Sequence, residues 1–385
     1  MRFRLPLCLL LLLLLALAAC NSNSNSTTSG TGVLFLTAQA DRTVNAYSLS
    51  LSSGSLTTIG SGVATGAAPA AMVVTPAIDA LFVANSGANS ISSYTINGDG
   101  SLTPSSATTA TGKTPMGLAV DPTGKFLFVA NQGSSDVSVF AISGASLKPV
   151  AGSPFTTIPP GTDVPTGPTA VAVPPSGSYV YVANQFTSTV SAFSFGSEGA
   201  LKVVAGSPFA VGLNPSAVAV NPAGGFLLVA NSGSGNVSVF SICAAVSADC
   251  ALPDGTMSEI KQSPFSAGLQ PDAIAFDPGF NFVYVADFRS NSVWQYTFGS
   301  GNGVMQPLTP PSISTGTNPV SIAIRSGATG ADIGSSLTNP TDYVYVANIG
   351  GSSLSGFTLT TSTGVLDVLG SAVTTAGQPS ALLTR

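Results

Sequence analysis

The segment Leu127-Phe128-Val129-Ala130-Asn131 decides the fold, because the chain contains seven closely similar versions of it. The other six are Leu34-Phe35-Leu36-Thr37-Ala38, Leu81–Asn85, Val180–Asn184, Leu227–Asn231, Val283–Asp287 and Val344–Asn348. Consecutive versions lie 46 to 61 residues apart. This spacing is typical of propeller blades, each of which contains four short antiparallel strands. The pattern therefore predicts an all-β, seven-bladed β-propeller.

The segments on either side of each version supply the other strands of a blade. A small apolar first strand follows a proline, as in Pro215–Val220, and an alternating third strand follows the second, as in Val237–Ile242. Alternation with a period of two is typical of a strand with two unlike faces. In three blades the fourth strand runs into Ser-Pro-Phe, at residues 153–155, 207–209 and 263–265. We expect the proline to end strand pairing there, on the outer edge.

The two ends of the repeat predict how the ring closes. The first blade begins with a second strand at Leu34 and lacks a first strand, whereas a seventh first strand, Pro379–Thr384, stands at the C-terminal end of the sequence. We expect this C-terminal strand to complete the first blade and remove its open edge. Residues 33–385 then form one propeller domain.

The N-terminal residues are typical of an export signal. Arg2 and Arg4 precede an apolar run from Leu5 to Leu17, which is too short for a standard transmembrane helix. The run ends in Leu17-Ala18-Ala19-Cys20, which resembles a bacterial lipoprotein box. We predict a signal peptide at 1–19 and a lipidated Cys20 that opens a flexible tether at 20–32. An uncleaved anchor and ordinary secretion stay open as alternatives.

This prediction places the protein in the cell envelope, held to a membrane by its lipid anchor alone. The expected destination is the outer membrane or the cell surface. In an exported protein Cys243 and Cys250 are expected to form a disulfide. Closing so short a loop contributes roughly 2.5 kcal/mol in the chain-entropy model. A redox or metal role for the two thiols is the alternative.

Composition excludes several classes of function. Only 7% of the 385 residues are charged, and the formal net charge is -5. Nucleic-acid binding needs clustered Lys and Arg, so we exclude it. The chain contains no histidine, which excludes Ser-His-Asp and Cys-His nucleophile systems and histidine-ligated metals. We expect no cofactor and no metal.

The repeated segments resemble those of a known family. Tyr345-Val346-Ala347-Asn348 and its copies resemble surface-protein repeats named for a Tyr-Val-Thr-Asn signature, within the lactonase-like seven-bladed propellers. That resemblance implies the fold over about residues 33–385. Its members include 6-phosphogluconolactonase-type enzymes and surface-layer proteins, and the catalytic members use His, Arg and carboxylates on one face. No complete catalytic motif maps onto this chain.

Two sets of polar residues are candidates for a site at the channel mouth. Asp272, Asp287 and Arg289 of the sixth blade could orient and polarise a lactone carbonyl, or form an ordinary loop ion pair. The second set consists of asparagines that end the second strands: Asn85, Asn131, Asn184, Asn231 and Asn348. Their amides suit sugar hydroxyls, although asparagine at a strand end more often bonds to its own backbone.

From the sequence alone we favour a binding or display module at the cell envelope. Its ligand at the channel mouth would be a carbohydrate, a lactone or a protein. The alternative is a hydrolase that opens a sugar lactone, as 6-phosphogluconolactonase does, and a purely structural surface protein is a third possibility. The missing histidine argues against the enzyme.

Overall fold

A computed structural model describes residues 31–243, 254–327 and 341–385, and these residues form a seven-bladed β-propeller. Seven antiparallel sheets stand in a ring, one for each blade. The second strands consist mainly of β-branched and aromatic residues and are buried on both faces. Such residues favour strands because they pack well on a pleated surface. The predicted fold class is confirmed.

The strands follow one another blade by blade, with four strand positions in each blade. Blade 1 begins with β1 (Thr31–Ala38), β2 (Thr43–Ser50) and β3 (Leu56–Ala64). Blade 2 contains β4 (Pro69–Val74), β5 (Ala80–Asn85), β6 (Ser90–Ile96), β7 (Leu102–Pro104) and β8 (Thr109–Ala110). Blade 3 contains β9 (Pro115–Val120), β10 (Phe126–Asn131), β11 (Asp136–Ser143), β12 (Ser146–Pro149) and β13 (Phe155–Thr156).

The remaining blades repeat this arrangement. Blade 4 contains β14 (Pro168–Ala172), β15 (Tyr179–Asn184), β16 (Thr189–Phe195), β17 (Leu201–Val203) and β18 (Phe209–Ala210). Blade 5 contains β19 (Pro215–Val220), β20 (Phe226–Asn231), β21 (Asn236–Ile242), β22 (Met257–Glu259) and β23 (Phe265–Ser266). Blade 6 contains β24 (Pro271–Phe276), β25 (Phe282–Asp287), β26 (Ser292–Phe298) and β27 (Met305–Ser314). Blade 7 contains β28 (Pro319–Arg325), β29 (Thr341–Asn348), β30 (Ser353–Thr360), β31 (Leu366–Val368) and β32 (Val373–Thr374), and β33 (Pro379–Thr384) returns to blade 1.

The outer strand of blades 3, 4 and 5 differs from the sequence prediction. Pairing does not end at Ser-Pro-Phe, because β13, β18 and β23 pair again with the third strands of their blades. In blade 3, for example, Phe155 lies opposite Val137. The proline has no N–H to donate, but the residues after it do. The outer strand is therefore interrupted rather than ended.

The C-terminal strand closes the ring as predicted. β33 pairs with β1, with Leu382 opposite Leu36. At the end of the pair, Val33 N and Arg385 O are 2.6 Å apart. Leu36 and Leu382 also join a buried cluster with Tyr345 of blade 7. The closing strand thus connects the first and last blades by both pairing and packing.

The hydrophobic core lies between blades. Alternate residues of β10 face opposite neighbours: Leu127 packs in a cluster with Phe82 of blade 2, whereas Phe128 packs with Val182 of blade 4. Both faces of each second strand are buried in this way, so the strands read as continuous apolar runs.

Candidate functional site

The first strands of the blades surround a central channel that contains a cavity of about 410 Å³. In every blade the residue after the first-strand proline has no partner in the ladder, because the register shifts there. A β-bulge of this kind redirects the side chain. All the bulge residues line the channel, and we call them the bulge ring: Ala70, Met116, Thr169, Ser216, Asp272, Val320 and Ser380.

Three members of the bulge ring carry hydroxyl groups that donate to a proline carbonyl of the next blade. Thr169 Oγ1 lies 3.0 Å from the carbonyl oxygen of Pro215, and Ser216 Oγ lies 2.8 Å from that of Pro271. Ser380 makes the same contact with the blade that follows it. Since their protons are engaged, these oxygens can accept hydrogen bonds from a ligand in the channel.

Asp272 is the one ionisable side chain among the described residues that line this cavity. Burial raises the pKa of its carboxyl group to about 6, because the ionised form loses hydration. Desolvation is the cause throughout: no hydrogen bond or neighbouring charge shifts the pKa. A carboxylate in such surroundings can exchange a proton close to neutral pH.

The mouth of the channel carries amide side chains above the bulge ring. Gln39, Gln132 and Gln185 line it, each placed directly after a second strand. Gln132 Nε2 donates to Gln185 Oε1 at 2.8 Å, which joins blades 3 and 4. An amide nitrogen has a second N–H, so Gln132 can also donate to a carbonyl oxygen of a ligand.

The structure separates Asp272 from the other two candidates of the sixth blade. Asp287 is completely buried, and its carboxylate accepts backbone N–H groups of Leu269 at 2.6 Å and Gln270 at 2.8 Å. It also accepts the backbone N–H of Arg289 at 3.2 Å. The Arg289 side chain is exposed, and neither residue lines the channel. Asp287 thus holds the loop between blades 5 and 6 against β25.

The asparagines that end the second strands are equally buried. Asn85, Asn131, Asn184, Asn231 and Asn348 have no exposed surface. Each Nδ2 donates to a third-strand serine of its own blade at 2.8–3.0 Å, for example Asn184 to Ser191 at 2.8 Å and Asn231 to Ser238 at 3.0 Å. These amides connect strands and do not face the channel.

The bulge ring was missed when the sequence was considered alone. The sequence marks Asp272 by its charge and by its place in the unusual blade 6, but not by its position beside Thr169 and Ser216. The sequence does contain one indication of the bulge ring. The residue after the first-strand proline carries a hydroxyl or carboxyl group in four blades. Only the bulge shows that this position points into the channel.

Several sequence predictions fall partly or wholly outside the described residues. Residues 1–30, with the signal peptide and Cys20, are among them, as is Cys250. Cys243 is disulfide-bonded, and its pairing with Cys250 stays a prediction. Within the described ranges no cluster of three or more His, Cys, Asp or Glu could hold a metal ion. The same residues include no helix long and apolar enough to cross a membrane.

Known proteins share this architecture at low sequence identity. A candidate 6-phosphogluconolactonase of Bacteroides fragilis superposes with a TM-score of 0.75 and 18% identity, covering 94% of this chain and 99% of its own. The periplasmic gluconolactonase of Pseudomonas aeruginosa gives 0.73 and 18% identity, covering 92% and 98%. A protein of Lactobacillus plantarum gives 0.71 and 16%, covering 92% and 99%. A search of curated protein sequences found no match.

The sequence itself matches a family description. The model of the family described as "Lactonase, 7-bladed beta-propeller" matches residues 28–152 and 147–248, which together make up more than half of the chain. These matches contain β1 to β3 of blade 1, the whole of blades 2 to 4 and the first strands of blade 5. The chain belongs to the lactonase family of seven-bladed β-propellers.

Proposed function

We propose that this protein hydrolyses lactones in the central channel, with Asp272 as the general base. The observation that carries the proposal is the placement of a single carboxyl group, with a pKa raised to about 6, in the cavity of a lactonase-family propeller. A general base works best when its pKa lies near the operating pH. The proposal needs no histidine.

Asp272 can carry out both proton transfers that lactone hydrolysis requires. The Asp272 carboxylate removes a proton from water as the water oxygen attacks the lactone carbonyl carbon. The ring C–O bond then breaks, and the proton passes from Asp272 to the departing ring oxygen. The product is the open-chain hydroxy acid, and Asp272 is again a carboxylate.

The amides and hydroxyls of the channel suit the substrate of this reaction. A glutamine N–H at the mouth, such as that of Gln132, can stabilise the negative charge that develops on the carbonyl oxygen. The oxygens of Thr169 and Ser216 can accept hydrogen bonds from sugar hydroxyls. A sugar lactone supplies both kinds of group.

Lactone hydrolysis is better supported than the display role that the sequence alone favoured. The family match points to the enzyme. A display module has no need of an ionisable group in its channel, whereas hydrolysis requires one. The absence of histidine does not exclude this reaction, because the carboxyl group of Asp272 can serve as the base in its place.

We also propose that the protein is exported and lipid-anchored through Cys20. The lipoprotein box and the polar tether support this location, and one structural neighbour is a periplasmic gluconolactonase. β1 starts at Thr31 on the face opposite the channel mouth and runs toward the mouth. A membrane anchor before Thr31 would leave the mouth open to the surrounding solution.

The proposed function can be tested on the purified mature chain with a panel of sugar lactones. Wild type should hydrolyse at least one of them well above background. Asp272→Asn should lower turnover by about 100-fold or more, the usual scale for a general base. Asp163→Asn, which changes an exposed carboxyl in the loop between blades 3 and 4, is the matched control and should behave as wild type. A fully active Asp272→Asn protein would refute the role of this residue.

A further inference from the structure

We propose that the protein binds a small dissolved oxyanion, a phosphate or a carboxylate, between Arg325 and Arg385. We call these two residues the arginine pair. Val320 and Ser380 line the cavity near the start of β28 and β33. The arginine pair stands five residues later, at the other ends of these strands. It is therefore a second site, away from the channel mouth, and it does not depend on the proposed hydrolysis.

Two observations place the arginines side by side. β28 and β33 are the first strands of neighbouring blades, and Thr384 Oγ1 donates to the carbonyl oxygen of Ile324 at 3.0 Å. Each of these two residues directly precedes an arginine. Arg325 Nε and the Arg385 carbonyl oxygen lie 3.3 Å and 2.9 Å from the same point, where a Cβ atom on Gly32 would stand. The pair therefore meets beside the start of β1.

The repeat does not require arginine at either position. In the other blades, the seventh residue counted from the first-strand proline is Thr75, Asp121, Pro174, Asn221 or Asp277. The side chains of Asp121, Asn221 and Asp277 accept a backbone N–H at the start of the second strand, at 2.6–2.7 Å. An arginine side chain has no acceptor atom, so it cannot make this bond. The turn that these residues stabilise therefore does not account for the arginines.

The guanidinium group of Arg325 has a donor without an acceptor. Its Nε is buried, and no described residue accepts its N–H. Leaving a buried donor unpaired is unfavourable, so such groups normally have a partner. The Arg325 side chain as a whole is half-buried and that of Arg385 is exposed, so a dissolved ion can reach both. An oxyanion would supply the missing acceptor.

The carboxyl groups near the arginine pair are bonded to the backbone. Asp342 and Asp277 each accept a backbone N–H, at 3.2 Å and 2.7 Å respectively. Burial raises the pKa of Asp342, although the charge of Arg325 acts in the opposite direction. Loss of hydration and the charge of Arg325 both lower the pKa of Arg385. The two positive charges thus destabilise each other, and a bound anion would offset this repulsion.

The chemistry of the guanidinium group identifies the class of ligand. Its planar N–H groups fit the paired oxygens of a carboxylate or a phosphate. The same face of the propeller carries the exposed carboxyl groups of Asp79, Asp99 and Asp254, in turns between strands. These groups would repel the headgroups of an anionic bilayer. A small dissolved ion is therefore a better occupant than a lipid.

The inference can be tested by calorimetric titration of the purified mature chain with inorganic phosphate and with succinate, at fixed ionic strength. We expect at least one of these anions to bind. Arg325→Gln and Arg385→Gln should each weaken binding by about tenfold or more, the scale of a charge-assisted hydrogen bond. Lys125→Gln, which removes an exposed positive charge from a turn on the same face, is the matched control and should bind as wild type. Because Arg385 is exposed, its replacement tests the site even if the Arg325 variant fails to fold.

Each outcome decides the inference without reference to hydrolysis. Weaker binding in the arginine variants, with unchanged binding in Lys125→Gln, supports the site. If neither anion binds wild type, or if the folded arginine variants bind as wild type does, the site is overturned. Sedimentation of the unlipidated Cys20→Ser chain with phosphatidylglycerol vesicles tests the lipid as a source of phosphate. Arginine-dependent binding to vesicles, without binding of either dissolved anion, would overturn the assignment to a small ion.

Discussion

Asp272 stands in a ring whose other members are neutral, and its ionisation works against folding. The folded protein keeps this proton up to about pH 6, whereas a free Asp has the ordinary pKa of 3.8. Between these values the folded state binds more protons than the unfolded state, so the free energy of unfolding falls as pH rises. The contribution of the protonated Asp272 to the free energy of unfolding is therefore fully present below about pH 4, and it is lost as the pH rises through about 6.

We therefore expect Asp272→Asn to match wild type in stability near pH 4 and to exceed it near pH 7. Two pKa units correspond to up to about 3 kcal/mol. Urea unfolding at both pH values measures the difference. A gain that is the same at both pH values would show that ionisation of Asp272 is not its cause.

Asp287 has the opposite role, because its carboxylate satisfies backbone N–H groups where water is excluded. We expect Asp287→Ala to lower the free energy of unfolding by about 2–4 kcal/mol, since buried donors lose a charged partner. Arg289→Ala, in the same turn but with an exposed side chain, should change it by less than about 0.5 kcal/mol. Thermal unfolding of both variants provides the comparison, and equal losses would contradict this assignment.

These two aspartates show where prediction from sequence stops at the residue scale. In the sequence, Asp272, Asp287 and Arg289 form one group, because charged residues are rare in this chain and these three belong to the same blade. The β-bulge after Pro271 directs the side chain of Asp272 into the channel, whereas the position of Asp287 at the end of β25 places its side chain under a loop. Sequence periodicity locates strands, but it does not report a single-residue shift in register.

At the scale of elements, β33 is the strand on which ring closure depends. Deleting Pro379–Arg385 removes the partner of β1 and the apolar contact of Leu382 in the cluster between blades 7 and 1. We expect the truncated protein to melt at a clearly lower temperature and to aggregate, because β1 becomes an open edge. Val373→Ser, on an exposed outer strand, is the control and should have little effect.

Calorimetry and sedimentation velocity together measure this outcome. A truncated protein that stays monomeric with an unchanged melting temperature would contradict closure by β33. The closure itself was predictable, because the missing first strand at one end and the surplus one at the other are visible in the sequence. The interrupted outer strands were not, since pairing after Ser-Pro-Phe depends on how the chain continues beyond the proline.

At the scale of the whole molecule, the anchor is predicted to determine where the propeller works. Cys20→Ser should prevent lipidation, because the cysteine thiol is the group that accepts the lipid. The protein should then leave the membrane fraction or be misprocessed. Detergent phase partitioning of cells that express each form measures this. Wild-type partitioning of the variant would contradict the lipoprotein prediction, and a matched Cys8→Ser change within the signal peptide should have no effect.

The central claim is that Asp272 acts as the base for lactone hydrolysis, and the pH dependence of kcat/KM tests it most directly. After correction for spontaneous hydrolysis, kcat/KM of wild type should rise about tenfold per pH unit below pH 6 and level off above it, as the carboxylate forms. Asp272→Asn should lack this rise. A wild-type profile that is flat from about pH 4.5 to 7.5, or a rise that persists in Asp272→Asn, would contradict the claim.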